Sequence, residues 1–239
     1  MPGGHYIALS GMRTRLDQLD RLADEIANAG TAGYKGERSG YVNAPREAFD
    51  QALATAIDVS AGSRSLDMRP GDVVDTGRDL DIALGGSAFL TVQTPQGTRY
   101  TRNGHLMRAT DGSLTTADGS PVMGEKGPIK LGPGEVHFDE DGTVRAGSTV
   151  AGKLAVVEFD NAKSLVREGA ALMRADAQTP KAVKVAEVHG GSLENSNVST
   201  VERIAELTNV ARTFEALQKA VAVMLNDVDG RTIDSLGRK

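Results

Sequence analysis

The 239-residue chain contains no cysteine and no tryptophan, and aromatic residues make up only 4% of it. Without a thiol there is no disulfide, no zinc–thiolate centre and no cysteine nucleophile. With so few aromatics, a core has to be built from Val, Leu, Ile, Ala and Met. No stretch approaches the roughly 18 apolar residues of a membrane span. The opening segment "MPGGHYIALSGMRTRLD" lacks an uninterrupted apolar run, so a cleaved secretory signal is not expected. The net charge of −5, with no basic stripe, argues against a generic nucleic-acid binder.

The usual chemical signatures are missing too. His5, His105, His137 and His189 are far apart and form no metal-ligand spacing. The acidic run at Asp139–Gly142 superficially resembles a calcium loop, but lacks the further oxygen ligands and the closing Glu, so a hairpin turn is expected. No GxSxG, Walker A or GxGxxG occurs, and "GEKGP" at 124–128 is a turn. Asp79 and Asp81 would share one face of a strand, but nothing nearby in sequence would raise a carboxyl pKa. They are expected at a solvated edge. No catalytic, metal-binding or cofactor-binding residue is therefore expected, and no cofactor.

What the chain does have is glycine, 28 residues of it, and two heptad patterns at its ends. Near the N-terminus, Leu9, Met12, Leu16, Leu19, Ala23 and Ile26 are spaced by alternating steps of three and four, the seam of a coiled coil. This helix should end at "NAGTAG". Residues 45–60 suggest a further short helix. From about Asp79 to Val188 turn dipeptides recur, among them Gln96-Gly97, Asn103-Gly104, Asp111-Gly112, Asp118-Gly119 and Asp141-Gly142. Between them lie short strand-like runs such as "FLTVQT" and "KLAVVEF", the grammar of an antiparallel β-body.

The C-terminal helix is signalled by a capping box, Ser199-Thr200-Val201-Glu202. Beyond it, Ile204, Leu207, Ala211, Phe214, Val221 and Leu225 take the a and d positions, and Val210, Leu217 and Met224 widen the stripe at g. The expected fold is α+β: an antiparallel sandwich or barrel-like body, with N- and C-terminal helices pairing into a discontinuous, coiled-coil-like α-domain. The expected organisation is 1–35 (N-terminal helix), 36–75 (linker), 76–190 (β-domain) and 191–239 (C-terminal helix). Burying six apolar side chains of one seam yields ~10–15 kcal/mol. Ordering about 20 residues costs ~30 kcal/mol before hydrogen bonds. A lone two-helix stalk is marginal, and the wide stripe has room for more than one neighbour. The pattern favours assembly, although a helical pair covering one face of the sheet would share the periodicity.

Four stretches also carry a resemblance. In "IANAGTAGYK" at 26–35 the residues are Ala27, Asn28, Thr31, Gly33, Tyr34 and Lys35; "DLDIALGGSAFLTVQTPQGTRYTRNGHL" spans 79–106; "DGSLTTADGSPVMGEKGPIKL" spans 111–131. The fourth, "GSLENSNVSTVERIAELTNVARTFEALQKAV", contains Leu193, Glu194, Ser196, Asn197, Val198, Arg212, Phe214 and Glu215. Together they resemble, in order and over nearly the whole chain, the axial rod and hook proteins of the bacterial flagellum. The chain departs from the pattern at Asp24-Glu25, where the family often has Asn, and at Gly30, where it often has Asn or Ser. The resemblance implies a non-enzymatic structural subunit of the basal-body rod, the periplasm-crossing shaft that transmits torque. It implies, as partners, other rod subunits, copies of itself and the flagellar type III export apparatus, with no nucleic acid and no membrane insertion. "LDMRPG" at 66–71, the length and the β-domain point to the proximal rod, with the distal rod the near alternative. The two seams would form the inner α-layer of such an axis. The rival class is a periplasmic β-domain acting on or binding peptidoglycan through Asp79, Asp81 or the acidic turn.

Overall fold

In the computed structural model residues 3–39, 64–176, 178–183 and 186–236 are described, with side-chain surroundings for 11–38, 65–176, 178–183, 186–223. The short helix expected over 45–60 lies outside these residues. The protein is α+β: two helices, at opposite ends of the sequence, and short, mostly antiparallel strands between them. Two compact units result, one holding the helices and the other residues 28–38 and 65–198.

In the β unit a six-stranded antiparallel sheet runs in the order 166–168, 172–174, 97–101, 89–94, 156–158, 181–182. Alternation along Phe89–Thr94 puts Leu90 and Val92 into one core and Phe89 into another. The first core also takes Leu106, Leu114, Val122 and Val144, all fully buried. In the second, Phe159 meets Phe89 and Tyr100 edge to face, with ring centroids 5.6 and 4.8 Å apart. The remaining strands form two- and three-stranded sheets, and no closed barrel forms among the described residues.

Aspartate defines the turns. Asp111 and Asp141 each accept the backbone N–H two residues on, from Ser113 and Thr143 at 3.0 Å. Asp118 accepts the hydroxyl of Ser120 at 2.7 Å. These Asp-Gly-Ser/Thr turns reverse the chain by the Asx mechanism, and the one at Asp139–Gly142 joins strands 136–138 and 143–146 as a hairpin. Asn103-Gly104 differs from the expected turn. Gly104 is needed because a Cβ there would lie 1.7 Å from the Ile82 carbonyl oxygen, so the glycine serves close backbone approach.

In the helical unit, Gly3–Ala27 packs against Thr200–Leu236. The second helix starts at the expected cap: the Ser199 hydroxyl accepts the Glu202 N–H at 3.4 Å. The facing stripe is rotated by one position from the a/d seam. Leu22 is 0% exposed and Val210 is buried, while Met12, Leu19, Ile26, Leu207, Phe214, Leu217 and Val221 are half-buried. These are d and g positions in both helices. Leu16 and Ile204, expected inside, are 45% and 50% exposed. Ala23 is exposed and Ala211 half-buried, and the side chains of Leu9 and Leu225 lie outside the described residues.

Candidate functional site: a buried junction of the terminal segments

Where the N-terminal helix ends, the chain enters the β unit through a tight path. Thr31 N–H donates to the Asn28 carbonyl at 3.0 Å, and its hydroxyl donates to the Asn28 side chain at 3.3 Å. Gly33 then turns at φ +67, donating its N–H to the Glu194 carbonyl at 2.7 Å. A Cβ at Gly33 would lie 2.3 Å from the Arg102 carbonyl carbon, so both the dihedral and the space demand glycine. Tyr34 is buried beneath the Arg167 guanidinium, which lies 4.3 Å over its ring and donates to its hydroxyl at 2.6 Å. The same guanidinium donates to the Lys35 carbonyl.

Lys35 leads to the centre of the junction. Glu194 is 2% exposed, and its carboxylate lies between two cations: Lys35 Nζ at 2.5 Å and Arg102 Nε at 2.7 Å. The Gly71 N–H adds a third donor at 3.0 Å. Two cations against one carboxylate leave an excess positive charge, and backbone carbonyls absorb it. Arg102 donates to those of Leu84, Gly86 and Ala88 at 2.7–3.0 Å, and Lys35 donates to that of Arg69 at 2.8 Å. Burial lowers the Lys35 pKa despite the adjacent carboxylate. Burial also resists ionisation of Glu194, but Arg102, Lys35 and the Gly71 N–H prevail and hold its carboxyl below the ordinary range.

Asn197 fastens the same place from the other side. Its side-chain oxygen accepts the Gly36 N–H at 2.9 Å, and its amide donates to the carbonyls of Asp67 and Arg69 at 2.7 and 3.0 Å. Leu193 and Glu194 pair as a strand with Val73 and Val74, Ser196 accepts the Val198 N–H at 3.1 Å, and Val198 is buried. Gly33, Tyr34, Glu194 and Asn197 thus tie distant segments together within one unit, while Asn28 and Thr31 bond to each other at its entrance. Arg102 and Arg167, which complete it, were absent from the expected sites. Arg102 stands in the "YTRNG" run, whereas nothing around Arg167 distinguishes it.

This arrangement holds segments together and offers no reacting group to a substrate. The acidic pair is not a solvated pair either. Asp81 is buried and accepts from the Thr76 hydroxyl at 2.8 Å and His105 at 3.0 Å, beside Arg78, while Asp79 is exposed. A shallow cleft of about 550 Å³ beside Arg78, Arg108 and Glu135 carries charges of both signs and no convergent set of groups. Among the described residues no cluster of His, Asp and Glu could hold a metal, and no helix is long and apolar enough to cross a membrane.

Comparison with known proteins agrees with this picture. Residues 83–146 match the family model described as flagellar hook protein FlgE/F/G D1 domain, and residues 189–224 match that of the flagellar basal body rod FlgEFG protein C-terminal region. The class is therefore a flagellar structural protein of the rod and hook, not an enzyme. Flagellar basal-body rod protein FlgF of Caulobacter vibrioides is 33% identical over 227 residues, 92% of each chain. That of Salmonella typhimurium is 33% identical over 242 residues, 95% of each. FlgG of Bacillus subtilis is 27% identical over 244 residues, covering 90% of this chain and 92% of its own. The chain belongs to the family of flagellar basal-body rod proteins FlgF. As a member it is a structural subunit of the basal body that assembles with other rod and hook–basal-body subunits.

Proposed function

We propose that this chain is a proximal-rod subunit, polymerising with copies of itself and with neighbouring rod subunits into the shaft that carries torque across the periplasm. The observation that carries the reading is the outward apolar row on the helical unit. Leu16 and Ile204 lie half-exposed at heptad a positions, while the d and g positions are already occupied within the chain. A single chain has no use for a second apolar stripe, whereas a head-to-tail helical assembly does. In this reading the helices form an inner, discontinuous coiled-coil-like layer of the rod. The chain reaches the growing tip through the flagellar type III apparatus. The identity to FlgF relatives, 33% against 27% for FlgG of Bacillus subtilis, favours the proximal over the distal rod.

The test is placement. Basal bodies isolated from a strain expressing the tagged chain should contain it, with the tag at the motor end of the rod, and deletion of its gene should abolish swimming. Recovery at the hook end instead would assign the distal rod, and normal swimming without the gene would overturn the proposal. Of the groups a peptidoglycan-acting domain would use, Asp81 is committed to Thr76 and His105 inside the fold.

A further inference from the structure

The facing stripes of the two helices repeat every seven residues. Leu19 and Ile26 follow Met12 on one, and Phe214 and Val221 follow Leu207 on the other. Sliding one helix by a heptad, about 10 Å, would again set apolar side chains against apolar side chains. The fastening of residues 33–36 to 194–197 just beyond the helix ends opposes such a slip, and within the helices themselves a second feature breaks the degeneracy. Glu25 is 1% exposed, and its Oε2 lies 3.0 Å from Arg203 Nε on the other helix. Arg203 is held from its own side by Glu206 at 2.5 Å. A one-heptad slip would part the buried Glu25 carboxylate from Arg203, and separating a buried ion pair is costly.

We infer that Glu25 and Arg203 are positioning residues that set the register of the helix pair, and that their contribution is uniqueness of alignment more than stability. Subunits of a helical array must present identical faces, so a mixture of registers would be as harmful as unfolding. The inference concerns the single chain and stands whether or not the exposed stripe is an assembly face.

The absence of native cysteine makes the test direct. In the full-length chain, Asp20→Cys and Lys219→Cys, both at exposed positions, accept spin labels whose separation reports the alignment by pulsed electron resonance. The otherwise native chain should give one distance. Replacing both partners by apolar residues, Glu25→Leu with Arg203→Met, should keep the helix content but add populations corresponding to an axial shift of about 10 Å. Leu19→Ala, which weakens packing without touching the pair, should keep the single distance. Three results would overturn the inference: one unchanged distance in the double variant, loss of the helix pair in it, or several distances before the pair is altered.

Discussion

Replacing Glu194 by Gln keeps the shape of the side chain and removes the carboxylate charge that Lys35 and Arg102 share. Two buried cations are then left facing a neutral amide. Breaking a buried ion pair by removing one partner costs about 3–5 kcal/mol. For a protein of this size each kcal/mol shifts Tm by about 2–4 °C, so the melting of the β unit should fall by roughly 6–20 °C. The reverse deletion should be milder. Lys35→Met leaves Glu194 paired one to one with Arg102, so only hydrogen bonds worth on the order of 1 kcal/mol each are lost. Differential scanning calorimetry of the purified variants, with near-ultraviolet circular dichroism to follow the β unit, reads both. Equal losses in the two variants, or a Glu194→Gln shift under about 2 °C, would refute the charge balance. The backbone carbonyls would then be satisfying the cations by themselves.

Further predictions follow from the same geometry. Gly33→Ala must place a methyl against the Arg102 carbonyl at a left-handed φ, and should destabilise the β unit by more than ~1 kcal/mol in urea denaturation. Leu22→Ala opens a cavity at a fully buried position and should cost ~2–5 kcal/mol of helical-unit stability, whereas Leu16→Ala should cost far less in the isolated chain. Asp67 is held down to about 2: burial opposes ionisation, but hydrogen bonds from Arg69 and Arg38 outweigh it. Because the folded value is depressed, its contribution is fully present above about pH 4 and disappears as the pH falls towards 2. Asp67→Asn should flatten that part of the acid-unfolding curve, read by circular dichroism.

The hairpin turns were legible because Asp-Gly-Ser/Thr encodes a turn locally, in three consecutive residues, and the Ser199 cap was legible for the same reason. The junction was legible only in fragments. Glu194 is 159 positions from Lys35 and 92 from Arg102, and no local pattern announces that three charged residues so far apart will be buried together. The helix seams were visible as periodicity but not in phase. Leu16 and Ile204 fit a core position as well as Leu22 and Val210 do, and a wide stripe does not say which part its own partner covers. The structure divides it: d and g face inward, and Leu16, Ala23 and Ile204 remain outside. Asp81 was misplaced because the groups that bury it, His105 and the segment around Thr76, reach it through tertiary pairing.

The most direct measurement for the central claim is incorporation of Leu16→Asp and Ile204→Asp into basal bodies, in a strain whose only copy carries the change. Both positions are about half-exposed in the single chain, so the variants should fold and melt close to the native temperature. If the row is an assembly face, the purified chain stays folded while the rods lack it and swimming is lost. Native levels of either variant in isolated basal bodies, with normal swimming, would contradict the account.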